Sequence, residues 1–494
     1  MSMLKETKNI NNNKIKDLSD GYVVLGSGLN AVATIHAIIE KNDTPKKNIY
    51  VIDAGLIRDA APTILKSGAH KPMPSPKFKN NSNEFVYKYF NSMLRIVEKN
   101  FFTIGSFAKG GLSNIWGGGL QPYNKQELSE FPYTYNQVKG IYTKVLKILT
   151  NTNSILDEHS QSISEGLHSS FYTHEPLLAI NSIKGKSYSC DLESCDSGCI
   201  NCNKNIFNSA YEIDSLVSKS KINYLSGLFI KSIYREDNCY YLNCLDINSG
   251  DPLIIKTRII FSCLGTISTT KIVLGMTKND KSLPLLSTPG GAFFLFSYKK
   301  IFAKTYSILS FRSFSGKDND TNFNGNIYPV SKNLIEVYFG VFWGRAINFL
   351  FWKLLFSRLF IANIYFPSNL SLSTISSNSK GIIINSRTNY ALKKIFKSSM
   401  KIITRGLLKE GLALLPIGKR LLAPGQDIHY GGTLPMKKEP KDNECNLEGE
   451  LNGFKNFYIA DSSSMPCLPG KGQSFNSMVN SFYITTRALE NERS

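Results

Sequence analysis

Gly21-Tyr22-Val23-Val24-Leu25-Gly26-Ser27-Gly28-Leu29-Asn30-Ala31 is the stretch on which the reading of this chain turns. A short apolar run ends in two glycines one residue apart, and a glycine-free stretch follows as far as Lys41. The first part predicts a strand and the last a helix. Gly26 permits a tight turn, Gly28 lets a pyrophosphate approach the backbone, and Ala31 lets helix and strand pack closely. The helix N-terminus adds free N–H groups and the positive end of its dipole. A second apolar run, Asn48 to Ile52, ends at Asp53, 25 residues after Gly28. A carboxylate at that strand end is placed to accept hydrogen bonds from a ribose diol. The unit is β-α-β, the opening of a doubly wound sheet. The expected fold is therefore α/β with a Rossmann-like dinucleotide domain, and Gly26, Gly28, Asn30, Ala31 and Asp53 are its cofactor-binding candidates.

Outward from this unit, residues 222–265 read as short strands with hairpin turns, the last from Ile259 to Leu264 running into Gly265 and a helix through Leu274. Residues 286–424 mix strand-like runs with aromatic helices and carry no nucleotide signal, so they read as an inserted α+β substrate domain. From 425 to 494 the chain is glycine-rich at first, then gives a strand, Phe457 to Ala460, and a closing helix. The expected division is a disordered polar leader at 1–19, a dinucleotide domain at 20–285, the substrate domain, and a C-terminal return.

The chain has 494 residues, enough for more than one domain. Its 58 Lys and Arg against 38 Asp and Glu give a net charge of +20. That field favours anionic partners, unless the lysines are simply spread over a solvated surface. No basic patch interleaved with aromatics is found, so nucleic acid is not an expected partner. The leader lacks the apolar core of a secretory signal, and nine cysteines without one suggest a reducing, cytoplasmic setting. Val337 to Phe366 is dense in Phe, Leu, Ile and Trp but interrupted by Arg345, Lys353 and Arg358. No window of about 18 residues is free of charge, so a spanning helix is not expected. A buried or interface-lying helix is, with peripheral contact on the inner face of a membrane as the second reading.

Three further blocks carry chemistry. Lys109-Gly110-Gly111-Leu112-Ser113-Asn114-Ile115-Trp116-Gly117-Gly118-Gly119 demands close backbone approach to something flat or anionic. The second is the strand–Gly265–helix return. The third is Phe457-Tyr458-Ile459-Ala460-Asp461, followed by Pro466 and Pro469-Gly470. With His429-Tyr430-Gly431-Gly432-Thr433, these blocks and the opening turn resemble, in order and over nearly the whole chain, the glucose–methanol–choline family of flavin oxidoreductases. The resemblance implies FAD, with Gly110, Gly111, Ser113, Asn114 and Trp116 along its pyrophosphate and isoalloxazine, Gly265 in the return turn, and Asp461 near the ribityl chain. The Gly-Gly-Leu-Ser-Asn-Ile-Trp run is most similar to the sugar-oxidising branch. There a histidine before the Trp can carry a covalent flavin link. Here that position is Ile115, which implies non-covalent FAD.

The resemblance also implies that His429 faces flavin and substrate. Oxidation of an alcohol needs a base for the hydroxyl proton, and imidazole titrates in the useful range. The family's second catalytic His or Asn falls on Gly472, a departure, with Gln473 or Asn476 as substitutes by a local shift. Cys190, Cys195, Cys199 and Cys202 form a compact thiol cluster. The first three spacings resemble the iron–sulfur segment of membrane-associated bacterial FAD sugar dehydrogenases. Spacing leaves an iron–sulfur cluster, structural zinc and no metal all open. The expected reaction is oxidation of a sugar or glycoconjugate hydroxyl. With a cluster present, a protein or quinone would be the electron acceptor. The rivals are a nicotinamide-dependent Rossmann enzyme and a degenerate flavin- or glycan-binding protein without turnover.

Overall fold

The computed structural model describes residues 15–41, 47–57, 84–149, 172–174, 177–179, 206–278, 281–298, 312–315, 323–329, 358–379, 381–409, 411–416 and 419–493. Its centre is a five-stranded parallel sheet: β1 (Gly21–Leu25), β2 (Asn48–Ile52), β3 (Asn223–Leu225), β4 (Ile260–Ser262) and β5 (Phe457–Ile459), in the order β5-β4-β1-β2-β3. Every residue of β1 is buried, as a parallel strand covered on both faces must be. Helices α1 (Leu29–Lys41), α2 (Thr266–Thr277) and α3 (Ser474–Arg493) belong to this layer. Val23, Val24 and Leu25 of β1 and Ala31, Val32 and Ile35 of α1 are fully buried in one core. At roughly 1.5–3 kcal/mol per buried Val, Leu or Ile, this cluster is a large part of what holds the layer.

Beside it lies a four-stranded sheet of Leu228–Glu236, Cys239–Asp246, Pro252–Thr257 and Ile15–Asp17. Its last strand corrects the expected leader. Ile15 pairs in parallel register with Ile254, so the 1–19 stretch is structured from residue 15.

The sheets on the expected substrate side are antiparallel apart from one parallel pairing, Gly381–Ser386 with Ile96–Lys99. Gly290–Ser297, Leu359–Tyr365, Asn324–Pro329 and Arg312–Ser315 run as neighbours in one sheet, backed by helix Tyr390–Lys409. Phe396, Met400, Ile403 and Leu407 of that helix pack on Phe293, Leu295, Ala362 and Ile364. A smaller sheet joins Ser373–Asn378 and Gly381–Ser386 to Leu283–Pro284 and Ile96–Lys99. Two expectations change here. Segments inside the expected 20–285 unit, Ile96–Lys99 and Tyr172–His174, are strands of the substrate-side sheets. The end of the Val337–Phe366 stretch is a strand, Leu359–Tyr365, not a helix; its alternating burial is stabilised by pairing on both edges. The remainder, 337–357, lies outside the described residues. Among the described residues no helix is long and apolar enough to cross a membrane.

Candidate functional site

A cavity of about 1030 Å³ of empty space, its mouth included, opens at the carboxyl ends of β1, β2 and β4. The chain leaves β1 toward β2 on one side, and β4 lies on the other, so this is the topological switch point where doubly wound sheets bind ligands. The two glycines of the opening turn play different parts. A Cβ on Gly26 would sit 2.7 Å from the Cys263 carbonyl oxygen, and its φ is +94°, so folding itself requires glycine there. Gly28 has no positive φ, and a Cβ on it would meet nothing within 4 Å. Its Cα faces the open cavity. Gly265, after β4, also faces empty space at φ +83°.

Asp53 ends β2 on the cavity wall. Ser27 and Tyr224 donate hydroxyl hydrogen bonds to its Oδ2, Tyr224 at 3.0 Å. Burial pushes this carboxyl up to about 6, while those hydroxyls and the Ala54 and Gly55 N–H groups pull it back. The Ser27 hydroxyl also accepts from Gly110 N at 2.8 Å, tying the 110–114 loop to the opening turn. Ser113 donates to Gly110 O at 2.6 Å and accepts from Ser209 N at 3.0 Å. Gly111 and Ser113 thus line one wall, with Gly111 close over Gly28, while Gly110 is packed against Ala210 behind it.

Of the other predicted contacts, Asn30 lines the cavity, while Asn114, Trp116 and Asp461 do not. Asn30 donates to Ser477 O at 3.1 Å and Ser481 Oγ at 2.8 Å, clamping α1 to α3. Asn114 donates to Lys109 O and Gly111 O, both at 2.8 Å, and its amide oxygen accepts from Asn208. Trp116 donates to Phe207 O at 2.8 Å, behind the loop. Asp461 is fully buried; it accepts from Gly265 N at 3.0 Å, Thr269 Oγ1 at 2.5 Å and Ser463 N at 2.9 Å. Burial raises its pKa above the usual carboxylate range. Its carboxylate therefore positions the Gly265 turn and Ser462, which line the cavity, rather than lining it itself. Ile115 is packed with Val86, Ile104 and Ala108.

At the other end of the cavity, Ile428, Tyr430 and Gln473 line the wall, and His429 stands between the first two in sequence without lining it. His429 Nδ1 lies 2.7 Å from Thr288 Oγ1. Asp427 Oδ2 accepts from Thr288 N at 2.7 Å and from Thr288 Oγ1 at 3.2 Å. Between Asp427 and His429, Ile428 has φ +59°, a conformation that costs a β-branched residue about 1–3 kcal/mol. That turn is what lets both neighbours reach one threonine. A threonine hydroxyl has one proton. With it given to the Asp427 carboxylate, the hydroxyl accepts Nδ1–H, and imidazole Nε2 is left with a free lone pair. Burial lowers His429 from 6.5 to about 4, so it is neutral near pH 7, and pushes Asp427 up to about 7. The Tyr365 ring packs 5.1 Å from the imidazole.

Gln473 Nε2 donates to Tyr430 O at 3.0 Å, and its buried Oε1 has no partner among the described residues. Asn476, the other candidate substitute, is a correction. It is buried, donates to Gln121 O at 2.8 Å, and accepts from Tyr123 N at 2.9 Å and Tyr142 O–H at 2.6 Å. Its amide is spent on packing. Thr288, Asp427, Tyr430 and Asn208 escaped the sequence reading. Only Asn208 left a local signal there, as a side-chain cap before helix Ser209–Ser218. Cys190, Cys195, Cys199 and Cys202 lie outside the described residues. Among the described residues no group of three or more His, Cys, Asp or Glu is arranged to hold a metal. Among the described cysteines, Cys239, Cys244, Cys263 and Cys445 are buried free thiols and Cys467 is half-buried.

No family model matches the sequence, and no curated protein sequence matches it. The fold is similar to that of pyridoxine 4-oxidase. The similarity is to its crystal structure from Mesorbium loti, with a TM-score of 0.62 at 11% identity, covering 96% of this chain and 99% of that one. At that identity the likeness shows the fold alone. Its coverage means that the antiparallel layers, and not only the nucleotide half, are arranged as in pyridoxine 4-oxidase.

Proposed function

We propose that this chain is an FAD-dependent oxidoreductase that oxidises the hydroxyl of a sugar, glycoconjugate or other small alcohol. The observation that carries the reading is the glycine-lined opening over Gly28: nothing among the described residues requires glycine there, and a side chain would fill the space a pyrophosphate needs. Gly26 and Gly28 at the α1 N-terminus, Gly110, Gly111 and Ser113 on the facing loop, Gly265 and Asp53 would hold the dinucleotide. FAD, when bound, supplies the acceptor for the hydride leaving the carbinol carbon. Ile115, packed in an apolar cluster where a covalent tether would sit, supports non-covalent attachment.

His429 is the base that takes the hydroxyl proton, through Nε2. Thr288 and Asp427 hold it in the Nδ1–H form, and Gln473 Oε1 offers a buried acceptor on the cavity wall where the family pattern has its second catalytic group. The oxidase name of the structural relative speaks for oxidation; the sugar preference rests on the resemblance of the Gly110–Trp116 block. The four clustered cysteines would hold an iron–sulfur centre passing electrons to a protein or quinone, or structural zinc. We place the protein in the cytoplasm, at the inner face of the membrane.

The test is the visible spectrum of protein purified anaerobically, then mixed with a panel of sugars and small alcohols. A flavin spectrum that bleaches with an alcohol supports the reading. A colourless protein binding nicotinamide nucleotides sinks it. Flavin that light reduces but no alcohol does would point to a binding protein without turnover.

A further inference from the structure

Helix Tyr390–Lys409 carries Lys393, Lys394, Lys397, Lys401, Arg405 and Lys409 and not one acid. All six cations are exposed, while Phe396, Met400, Ile403 and Leu407 bury the opposite face. Five of the six recur at every fourth position from Lys393. Residues four apart are neighbours on the helix surface, so these five form a single, slowly winding ridge about 24 Å long at ~1.5 Å rise per residue. Like charges at that spacing repel one another along a helix. Several basic side chains elsewhere on the surface have a carboxylate partner, Lys41 with Glu490, Lys144 with Glu40 and Lys256 with Asp17 among them. Among the described residues no carboxylate pairs with any cation of this ridge. Its one described partner is the Tyr390 ring, 5.6 Å from Lys393 Nζ.

We propose that this ridge docks on a bilayer rich in anionic phospholipid. At about 100° per residue the ridge turns about 160° from Lys393 to Lys409, and Lys394, Lys397, Lys401 and Arg405, within about 80° of one another, share the outward face that lies along a planar surface. Five of the helix's six cations are lysines, point charges on flexible stems that suit a layer of headgroups better than a fixed phosphate fork. No aromatic side chain interleaves the ridge to stack nucleic-acid bases. At its ends Tyr390 is 73% exposed and Leu408 is 52% exposed, side chains able to enter the headgroup boundary. The helix also backs the substrate side. Phe396 packs against Gly291, three residues beyond Thr288, so docking brings the histidine end of the molecule toward lipid rather than the nucleotide half.

The experiment is co-sedimentation of the full-length protein with vesicles of phosphatidylcholine alone and of phosphatidylcholine mixed with phosphatidylglycerol. Binding is expected to the mixed vesicles only, and to fall as salt rises. The triple variant Lys393→Glu, Lys397→Glu, Lys401→Glu should lose about fivefold in partitioning for each lysine charge removed, more than about a hundredfold in all, and more again for the three carboxylates added, with far-UV circular dichroism and melting unchanged. Should that variant not fold, the triple change to Gln removes the charge while keeping a good helix former, and a loss of about a hundredfold is required of it. Equal binding of variant and parent, equal binding to pure phosphatidylcholine, or binding to a DNA oligonucleotide but not to anionic vesicles would each overturn the proposal.

Discussion

At one end of the cavity Gly26, Gly28 and Asp53 come from a single stretch of the chain and act through backbone shape: a positive φ, an uncovered Cα, a strand end. At the other end Thr288, Tyr365, Asp427, His429 and Gln473 come from four separate segments and act through side-chain hydrogen bonds and ring packing. The glycine end is a surface made by leaving atoms out. The histidine end is made by bringing atoms together, and it carries the strained residue, Ile428. A site of the first kind fails abruptly when an atom is added. One of the second kind degrades by degrees as partners are removed.

The sharpest break of that contrast lies within the opening turn. Gly26→Val should yield no folded protein, because its Cβ meets backbone at 2.7 Å. Gly28→Val should fold, melt like the parent and be purified without flavin colour. A yellow Gly28→Val protein would show that the opening over Gly28 is not the pyrophosphate site. At the histidine end, His429→Ala should keep flavin and fold but slow substrate-driven flavin reduction by about two to four orders of magnitude, the usual scale for loss of a general base. A parental rate in that variant would move the base elsewhere.

Thr288→Val tests graded loss. Removing one hydrogen bond that orients the imidazole, worth about 1 kcal/mol, should slow flavin reduction roughly tenfold or less and leave flavin content intact. The parent's pH dependence follows from Asp427 and His429. Burial pushes Asp427 up to about 7 and His429 down to about 4, so as acid is added the carboxylate that holds the Nδ1–H form is protonated first and the imidazole last. The rate should fall as the pH passes through about 7 and again through about 4. A rate unchanged through about 7 would mean that the Asp427 carboxylate does not set the tautomer. The smallest catalytic effect is expected from Asn476→Ala. It takes the acceptor from the Tyr142 hydroxyl and the donor from Gln121 O, while the Tyr123 N–H keeps the Tyr142 oxygen, costing roughly 1–3 kcal/mol of stability for each buried group left unpaired, with the rate of flavin reduction unchanged.

Much of the glycine end was legible in the sequence because each of its features is a local conformational demand. A turn that only glycine makes, an apolar run of strand length and a carboxylate at its end are all visible within a few residues. Asn114 and Trp116 show where local reading overreaches. They sit in the right loop, but their side chains turn away from the cavity to bond their own backbone and Phe207. The aromatic stretch is ambiguous for a related reason. Leu359–Tyr365 is apolar enough for helix or strand, and only pairing with Gly290–Ser297 and Asn324–Pro329 selects the strand.

By itself the sequence determined the β-α-β opening and the strands and helices of the parallel layer. These depend on hydrophobic period and on backbone angles that particular residues permit, and both are properties of neighbours in the chain. Only the tertiary structure decided that Ile15 completes a sheet with Ile254, that Ile96 pairs with Ile382, that Asn476 is consumed by Tyr123 and Tyr142, and that one threonine joins Asp427 to His429. Those are meetings of groups tens to hundreds of residues apart. They are chosen by how whole layers pack, because a buried polar atom must find its partner wherever packing brings one within reach.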